Sequence, residues 1–270
     1  MSQESERAQM MKKTAVLEIP GMDAVILRRD IEYQATDAGA LTFDLYAPPT
    51  SAAVARAPAV VFVSGYPDPG FESVFGCKRK EIGQSTSWGR LVAASGLVGI
   101  NYTNREPSDL HALLEHLRQN AASLGIDERR IGLWACSGNV PMALSALMRG
   151  ASGSLRCAAL CYGFMLDLGA STRVAEAAAQ FRFVNPCAGK SIDDLPPELP
   201  LFIARAGQDR MPHLNETIDD FVAGALARNL PVTLVNHAAA PHAFDLLDDS
   251  EASRETIRSI LGFLRLHLLG

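Results

Sequence analysis

RIGLWACSGNVPMALSALM, Arg130 to Met148, is the stretch on which the reading of this chain turns. It opens as a continuously apolar strand, RIGLWA. It closes as an amphipathic helix, with Val140, Ala143, Leu144, Leu147 and Met148 falling at i, i+3, i+4, i+7 and i+8. Almost nothing but ACSGN lies between. A strand-to-helix turn that short holds its central side chain up and exposed on strained backbone, and it admits only small residues two positions either side. If Ser137 is the centre, the flanks are Ala135 and Asn139; if Cys136 is, they are Trp134 and Gly138. An indole does not fit where two backbones converge, so Ser137 is favoured over Cys136. The helix starting near Gly138, with Pro141 in its first turn, aims free N–H groups and a positive dipole end at the space beside Ser137. A serine here also suits a plain helix cap, so the rest of the chain has to decide.

Outward from this corner the same pattern repeats. APAVVFV (57–63), GLVGINY (96–102), LRCAALCY (155–162), LPLFIARA (199–206) and LPVTLVNH (230–237) are short runs apolar on both faces. Strands of a parallel sheet covered by helices on both sides read this way. Leu214, Ile218, Phe221, Val222 and Ala225 keep helical spacing, as do Ile257, Ile260, Leu261, Leu264 and Leu268. Upstream, IEYQATDAGALTFDLYAPP (31–49) reads as an antiparallel strand pair turning at Asp37-Ala38-Gly39, with Leu41, Phe43 and Leu45 inward and Thr42, Asp44 and Tyr46 outward. The expected architecture is a single α/β domain over residues 21–270, following a polar arm of residues 1–20. Its central sheet is mostly parallel, with an N-terminal antiparallel pair and helices on both faces. Two connections, at about 64–86 and 164–200, are longer than such a fold needs and are read as functional loops.

The chain has 270 residues, 48% hydrophobic and 20% charged, which is ample for one sizeable core. Its net charge of −5, with no run of one sign, argues against nucleic acid or an anionic membrane surface as partner. The opening MSQESERAQMMKKTAVLEIPG lacks the apolar segment of a secretory signal, and no stretch of about 20 apolar residues spans a bilayer. Five cysteines without a CxxC pair suggest neither zinc nor a disulfide framework. A cytoplasmic protein is therefore expected. Lys78-Arg79-Lys80 reads as a solvated loop, and His111 and His116, five apart, do not share a helix face. No phosphate-cradling glycine loop or dinucleotide fingerprint follows a strand, so no cofactor and no metal is expected.

A serine hydroxyl is a weak nucleophile until a base takes its proton, and that base needs an orienting acid. Downstream, LFIARAGQDRMP ends a strand in a loop carrying Asp209, and VTLVNHAAAPHAFD ends the last strand in a loop carrying His237 and His242. Ser, Asp and His at the carboxyl ends of successive strands, in that chain order, fit acyl transfer on such a scaffold. Asp167, after the preceding strand, is a rival acid, and Asp245 stands very near His242 in sequence.

From Ile31 onward the chain resembles the α/β-hydrolase superfamily, nearest its dienelactone-hydrolase-like and small carboxylesterase branches. RIGLWACSGN resembles the nucleophile elbow, which makes Ser137 the nucleophile. ARAGQDRMP is similar to the loop after the penultimate strand, which makes Asp209 the acid, and AAAPHAF resembles the histidine loop, which makes His242 the base. VFVSGYP looks like the segment that supplies an oxyanion-hole amide, so the backbone N–H groups of Tyr66 and Gly138 are the expected pair. The chain departs from the family pattern with Asn139 where a glycine usually follows the nucleophile by two, and with Ser64 where a histidine usually precedes the oxyanion glycine. It also carries a cysteine one position before the nucleophile. The resemblance implies a serine hydrolase acting on a small-molecule carboxylic ester, with Phe71, Phe75, Phe164 and Cys136 shaping the substrate pocket and a homodimer left open. A lactone, amide or peptide bond are alternatives with the same machinery, and a non-catalytic small-ligand binding protein is an alternative of another class.

Overall fold

A computed structural model describes residues 9–49, 56–150 and 155–270. Eight strands, β1 (Ile26–Gln34), β2 (Leu41–Ala47), β3 (Ala57–Phe62), β4 (Val98–Tyr102), β5 (Ile126–Cys136), β6 (Leu155–Cys161), β7 (Leu201–Ala206) and β8 (Val232–His237), form one sheet in the order β1-β2-β4-β3-β5-β6-β7-β8. β1 and β2 pair antiparallel, β2 meets β4 antiparallel, and every later pairing is parallel.

Alternation along β5 shows why its sequence is apolar throughout. Leu133 and Ala135 face one core, under the helices Ser108–Gln119, Val140–Met148 and Leu214–Ala227; Trp134 and Cys136 face the other, under Gly83–Ala94 and Glu251–Leu269. A side chain on either face is removed from water, and each fully buried Leu, Ile or Val contributes about 1.5–3 kcal/mol. β5 lies between β3 and β6 in the middle of the sheet. Its carboxyl end therefore opens where flanking loops from both directions converge.

Three expectations need correction, and the polar arm acquires contacts. β2 is not half-exposed: Asp44 and Tyr46 are 2% and 1% exposed, because Tyr46 lies against Gly89, where a Cβ would come within 2.8 Å of its ring. Lys80 is not solvated either. Its side chain is buried, with Nζ 2.6 Å from Asp44 Oδ1 and 2.5 Å from Asp30 Oδ1, since a charge out of water must be paired. The arm of residues 1–20 packs down at its end (residues 1–8 lie outside the described residues). Ala15 and Leu17 are buried, and the N–H groups of Ala15 and Val16 donate to Ser87 Oγ at 2.9 Å and Asp245 O at 2.8 Å. Finally, β8 is apolar in sequence but has only β7 as a neighbour, so Thr233, Leu234 and Asn236 are exposed. The two long connections carry structure of their own, including the helices Asp68–Phe75 and Arg173–Phe181.

Candidate active site

At the end of β5 the backbone passes from extended Cys136 (φ −136) to Ser137 at φ 54, then through a short turn, Ser137–Asn139, into the helix Val140–Met148 with Pro141 in its first turn. Left-handed backbone disfavours a non-glycine residue by roughly 1–2 kcal/mol. The surroundings hold it there. A Cβ on Gly138 would lie 2.6 Å from both Phe183 Cδ1 and Tyr66 Oη, and one on Gly65 would lie 2.5 Å from Gly138 O. Glycine at both places lets the loop after β3 press against the elbow.

Asn139 is right-handed, with φ −85, so no left-handed tolerance is asked of it. Its buried amide does other work: Oδ1 accepts from Gly65 N–H at 2.8 Å and Nδ2 donates to Cys136 O at 2.8 Å. The residue that replaces the customary glycine therefore ties the two loops together. Gly65 O in turn accepts from Val184 N–H at 2.8 Å. The Ser64 hydroxyl folds back on its own turn, donating to Tyr66 O at 3.0 Å and standing 3.3 Å from Tyr66 N–H.

The Asp209 and His242 loops are stitched by backbone bonds from Gly207 N–H to His237 O (2.9 Å) and from Gln208 N–H to Ala240 O (2.8 Å). That stitching brings His242 Nδ1 to 2.6 Å from Asp209 Oδ2, while His242 Nε2 lies 3.0 Å from Ser137 Oγ. The Asp209 side chain is fully buried, and its second oxygen accepts from Met211 N–H at 2.9 Å. The three groups expected to act together are in mutual contact.

They open onto a cavity of about 770 Å³ lined by Ser137, His242, Tyr66, Phe71, Phe75 and Cys136 among others. Phe164 does not line it. That ring is 1% exposed, stacked 5.3 Å from Phe183 and 6.3 Å from Phe181, and it is Phe181 that faces the cavity. Arg79 also lines it, although Lys78-Arg79-Lys80 reads as a solvated loop, and so do Arg182, Met211 and Leu246, which the sequence does not mark. Arg182 lies in the long connection 164–200, but nothing in the local pattern separates it from its neighbours.

The rivals lie elsewhere. His237 is buried, with Nε2 3.1 Å from Ser253 Oγ, and packs beneath the loop. Asp167 caps the helix Arg173–Phe181, accepting from the N–H groups of Val174 (2.8 Å) and Ala175 (3.0 Å). Asp245 accepts from Tyr162 Oη (2.5 Å), Trp88 Nε1 (2.7 Å) and Gln84 Nε2 (3.1 Å). Cys136 is 2% exposed, and burial pushes its thiol up to about 11. His213, just beyond Asp209 in the sequence, does not reach the cavity: it is exposed and stands 2.9 Å from Glu216. Among the described residues, no three His, Cys, Asp or Glu side chains gather as a metal site would require, and no helix is long and apolar enough to cross a membrane.

The strand order and the loops that carry these residues define the α/β-hydrolase fold. No family model matches the chain, and no curated protein does. Solved structures do. A thermostable esterase from Pseudomonas putida is 15% identical, with a TM-score of 0.72 over 99% of this chain and 91% of that one. A thermophilic esterase from the planctomycete Thermogutta terrifontis is 20% identical, with a TM-score of 0.65 over 92% of this chain and 94% of that one. A form of Thermogutta terrifontis esterase 2 phosphoramylated by tabun is 18% identical, with a TM-score of 0.63 over 92% and 96%.

Proposed function

We propose that the protein is a serine hydrolase that cleaves a small-molecule carboxylic ester through an acyl-enzyme. One observation carries this reading: the hydroxyl, imidazole and carboxylate of Ser137, His242 and Asp209 are linked at 3.0 and 2.6 Å at the wall of an open cavity. In the forward step Ser137 Oγ attacks the ester carbonyl as His242 Nε2 takes its proton. His242 then returns that proton to the departing alcohol. Asp209, bonded to Nδ1, fixes the tautomer that leaves Nε2 free to accept, and it stabilises the charged ring. Water, activated by the same imidazole, releases the acid.

The amides of Tyr66 and Gly138 are the oxyanion donors in this reading, each worth on the order of 3 kcal/mol in the transition state. Gly138 N–H belongs to the first turn before the helix, where intrahelical partners are lacking. Tyr66 N–H has only the long 3.3 Å contact with Ser64 Oγ to give up. Support for a small substrate comes from the cavity volume and from the resemblance to the dienelactone-hydrolase-like branch. Five cysteines, none in a disulfide, support a reducing compartment such as the cytoplasm.

Turnover of 4-nitrophenyl acetate, butanoate and octanoate tests the proposal. At least one of these esters should be hydrolysed with saturation kinetics, and Ser137→Ala or His242→Ala should lose about three to six orders of magnitude in kcat. Hydrolysis that survives Ser137→Ala in a folded protein would contradict it.

A further inference from the structure

A buried carboxylate stands just past Tyr66, and the chemistry above gives it no task. Asp68 is 5% exposed, and burial raises its carboxyl above the ordinary value, against the pull of two backbone N–H groups. Those groups come from different parts of the chain. Oδ1 accepts from Arg79 N–H at 2.8 Å and Oδ2 from Asn104 N–H at 2.7 Å. The Asp68 N–H itself donates to Asn104 O at 2.8 Å, and Asn104 Nδ2 reaches Ser64 O at 3.4 Å. One side chain therefore joins both ends of the connection after β3 to the turn after β4.

Other carboxylates that bind backbone N–H groups act closer to home. Asp109 accepts from Arg105 and Glu106 at 2.6 and 2.9 Å, within its own turn, and Asp167 caps the helix that follows it. Asp68 spans 11 and 36 residues to find its donors. A charge taken out of water is costly, so such a tie calls for something that it holds in place.

What it holds is the peptide of Tyr66. Upstream, Gly65 N–H is bound by Asn139 Oδ1 and Gly65 O by Val184 N–H, each at 2.8 Å. In a trans peptide the N–H points away from the C=O, so the bond to Val184 sets which way Tyr66 N–H is turned. Downstream stand only Pro67, its φ fixed by the ring at −59, and then Asp68. The amide is thus pinned on both sides, and Asp68 is the second pin.

We propose that Asp68 is a positioning residue for the oxyanion hole: by binding Arg79 N–H and Asn104 N–H it holds Tyr66 N–H where the negative oxygen of the tetrahedral intermediate forms. The inference rests on the reading of Ser137 as nucleophile and Tyr66 N–H as oxyanion donor, and adds the group that keeps that donor in place. Asp68 does not line the cavity, but it starts the helix Asp68–Phe75, whose Phe71 and Phe75 do. A test has to separate the hole from the pocket.

Asp68→Asn keeps the shape and exchanges one acceptor oxygen for an NH₂, and Asp109→Asn makes the same exchange in a carboxylate that stays within its own turn. Hydrolysis of 4-nitrophenyl butanoate is followed, with active sites counted by the 4-nitrophenol burst from diethyl 4-nitrophenyl phosphate. Affinity is also measured for an alkyl trifluoromethyl ketone. Ser137 Oγ adds to its carbonyl carbon, the serine proton passes to His242, and the carbonyl oxygen becomes an oxyanion in the hole. Asp68→Asn should lower kcat by about 10- to 100-fold, weaken the ketone by a similar factor, and leave KM within about threefold. Asp109→Asn should melt at a lower temperature with kcat within about twofold. Three results overturn the proposal: a raised KM with kcat kept, a lowered melting temperature with both constants kept, or a lost kcat with the ketone bound as before. Should Asp68→Asn not fold, Asp68→Glu keeps both acceptor oxygens one methylene further out and carries the same readouts. A joint loss of kcat and ketone affinity of about threefold or more is expected there, and no joint loss overturns the role. Failure of the hydrolase reading looks different, since wild type itself then neither turns over the ester nor binds the ketone, and the role of Asp68 falls with it.

Discussion

Two buried carboxylates flank the corner at residues 136 and 137, and they head two chains of contacts that look alike until their far ends are compared. On one side Asp209 bonds His242, and His242 bonds Ser137, whose hydroxyl lines the cavity. On the other, Asp245 bonds Tyr162 and Gln84, and Gln84 Nε2 reaches Cys136 Sγ at 3.8 Å. The middle group makes the difference. An imidazole accepts a proton at one nitrogen while donating from the other. A phenol raised well above its usual range by burial and an amide can donate hydrogen bonds, but neither takes up a proton at neutral pH. Asp245, Tyr162 and Gln84 form a fully satisfied buried network that packs the floor of the site, whereas the Asp209 chain is poised at its surface. A carboxylate and a nucleophile brought near each other do not make a triad without a titrating link.

The comparison breaks most easily at the two carboxylates. Asp209→Asn should lower kcat by about 10³–10⁴ through the wrong imidazole tautomer, read by steady-state ester hydrolysis. Asp245→Asn should keep kcat within about tenfold and instead cost about 1–3 kcal/mol, since its new NH₂ replaces one of the two oxygens that between them accept from three donors. A thermal melt checks the second, and equal kinetic losses for both variants would erase the distinction.

A smaller effect is expected at Asn139. Replacing it by Ala leaves Gly65 N–H and Cys136 C=O without their side-chain partners, at a cost of about 1–3 kcal/mol. kcat should fall by about tenfold, as the amide of the neighbouring Tyr66 loosens. Glycine, the residue the fold usually carries there, should do no better than alanine.

Least change is expected from Cys136. With its thiol raised to about 11, only about one molecule in ten thousand is thiolate at pH 7. Because the folded value is raised, the reactive form is scarce at neutral pH and grows as pH climbs toward 11. Iodoacetamide should leave Cys136 unmodified at pH 7–8 while the protein is folded, and Cys136→Ala should retain most activity. Rapid alkylation with loss of turnover would move the nucleophile one residue back.

Most strands, and the three side chains Ser137, His242 and Asp209 that the fold links by hydrogen bonds, were legible in the sequence, because each rests on a local pattern. Apolar runs of strand length mark the sheet, helical spacing marks its cover, and a corner too tight for Trp134 chooses Ser137. What was hidden depends on partners far along the chain. Lys80 reads as a surface charge until Asp44, 36 residues away, is placed over it. Asn139 reads as a weak substitute for glycine until the loop of Gly65 arrives, 74 residues upstream. Phe164 reads as a pocket aromatic because it stands at the start of a long connection, but its ring stacks on Phe181 and Phe183 instead. Arg79 and Arg182 line the cavity from two different connections, and no single window of sequence holds both.

The central claim, that the hydroxyl of Ser137 rather than the thiol of Cys136 is the activated nucleophile, is tested most directly by fluorophosphonate labelling followed by intact mass and peptide mapping. The account predicts one adduct per chain, on Ser137, formed with wild type and Cys136→Ala but not with Ser137→Ala. An adduct on Cys136, or a folded protein that takes up no label at all, would contradict it.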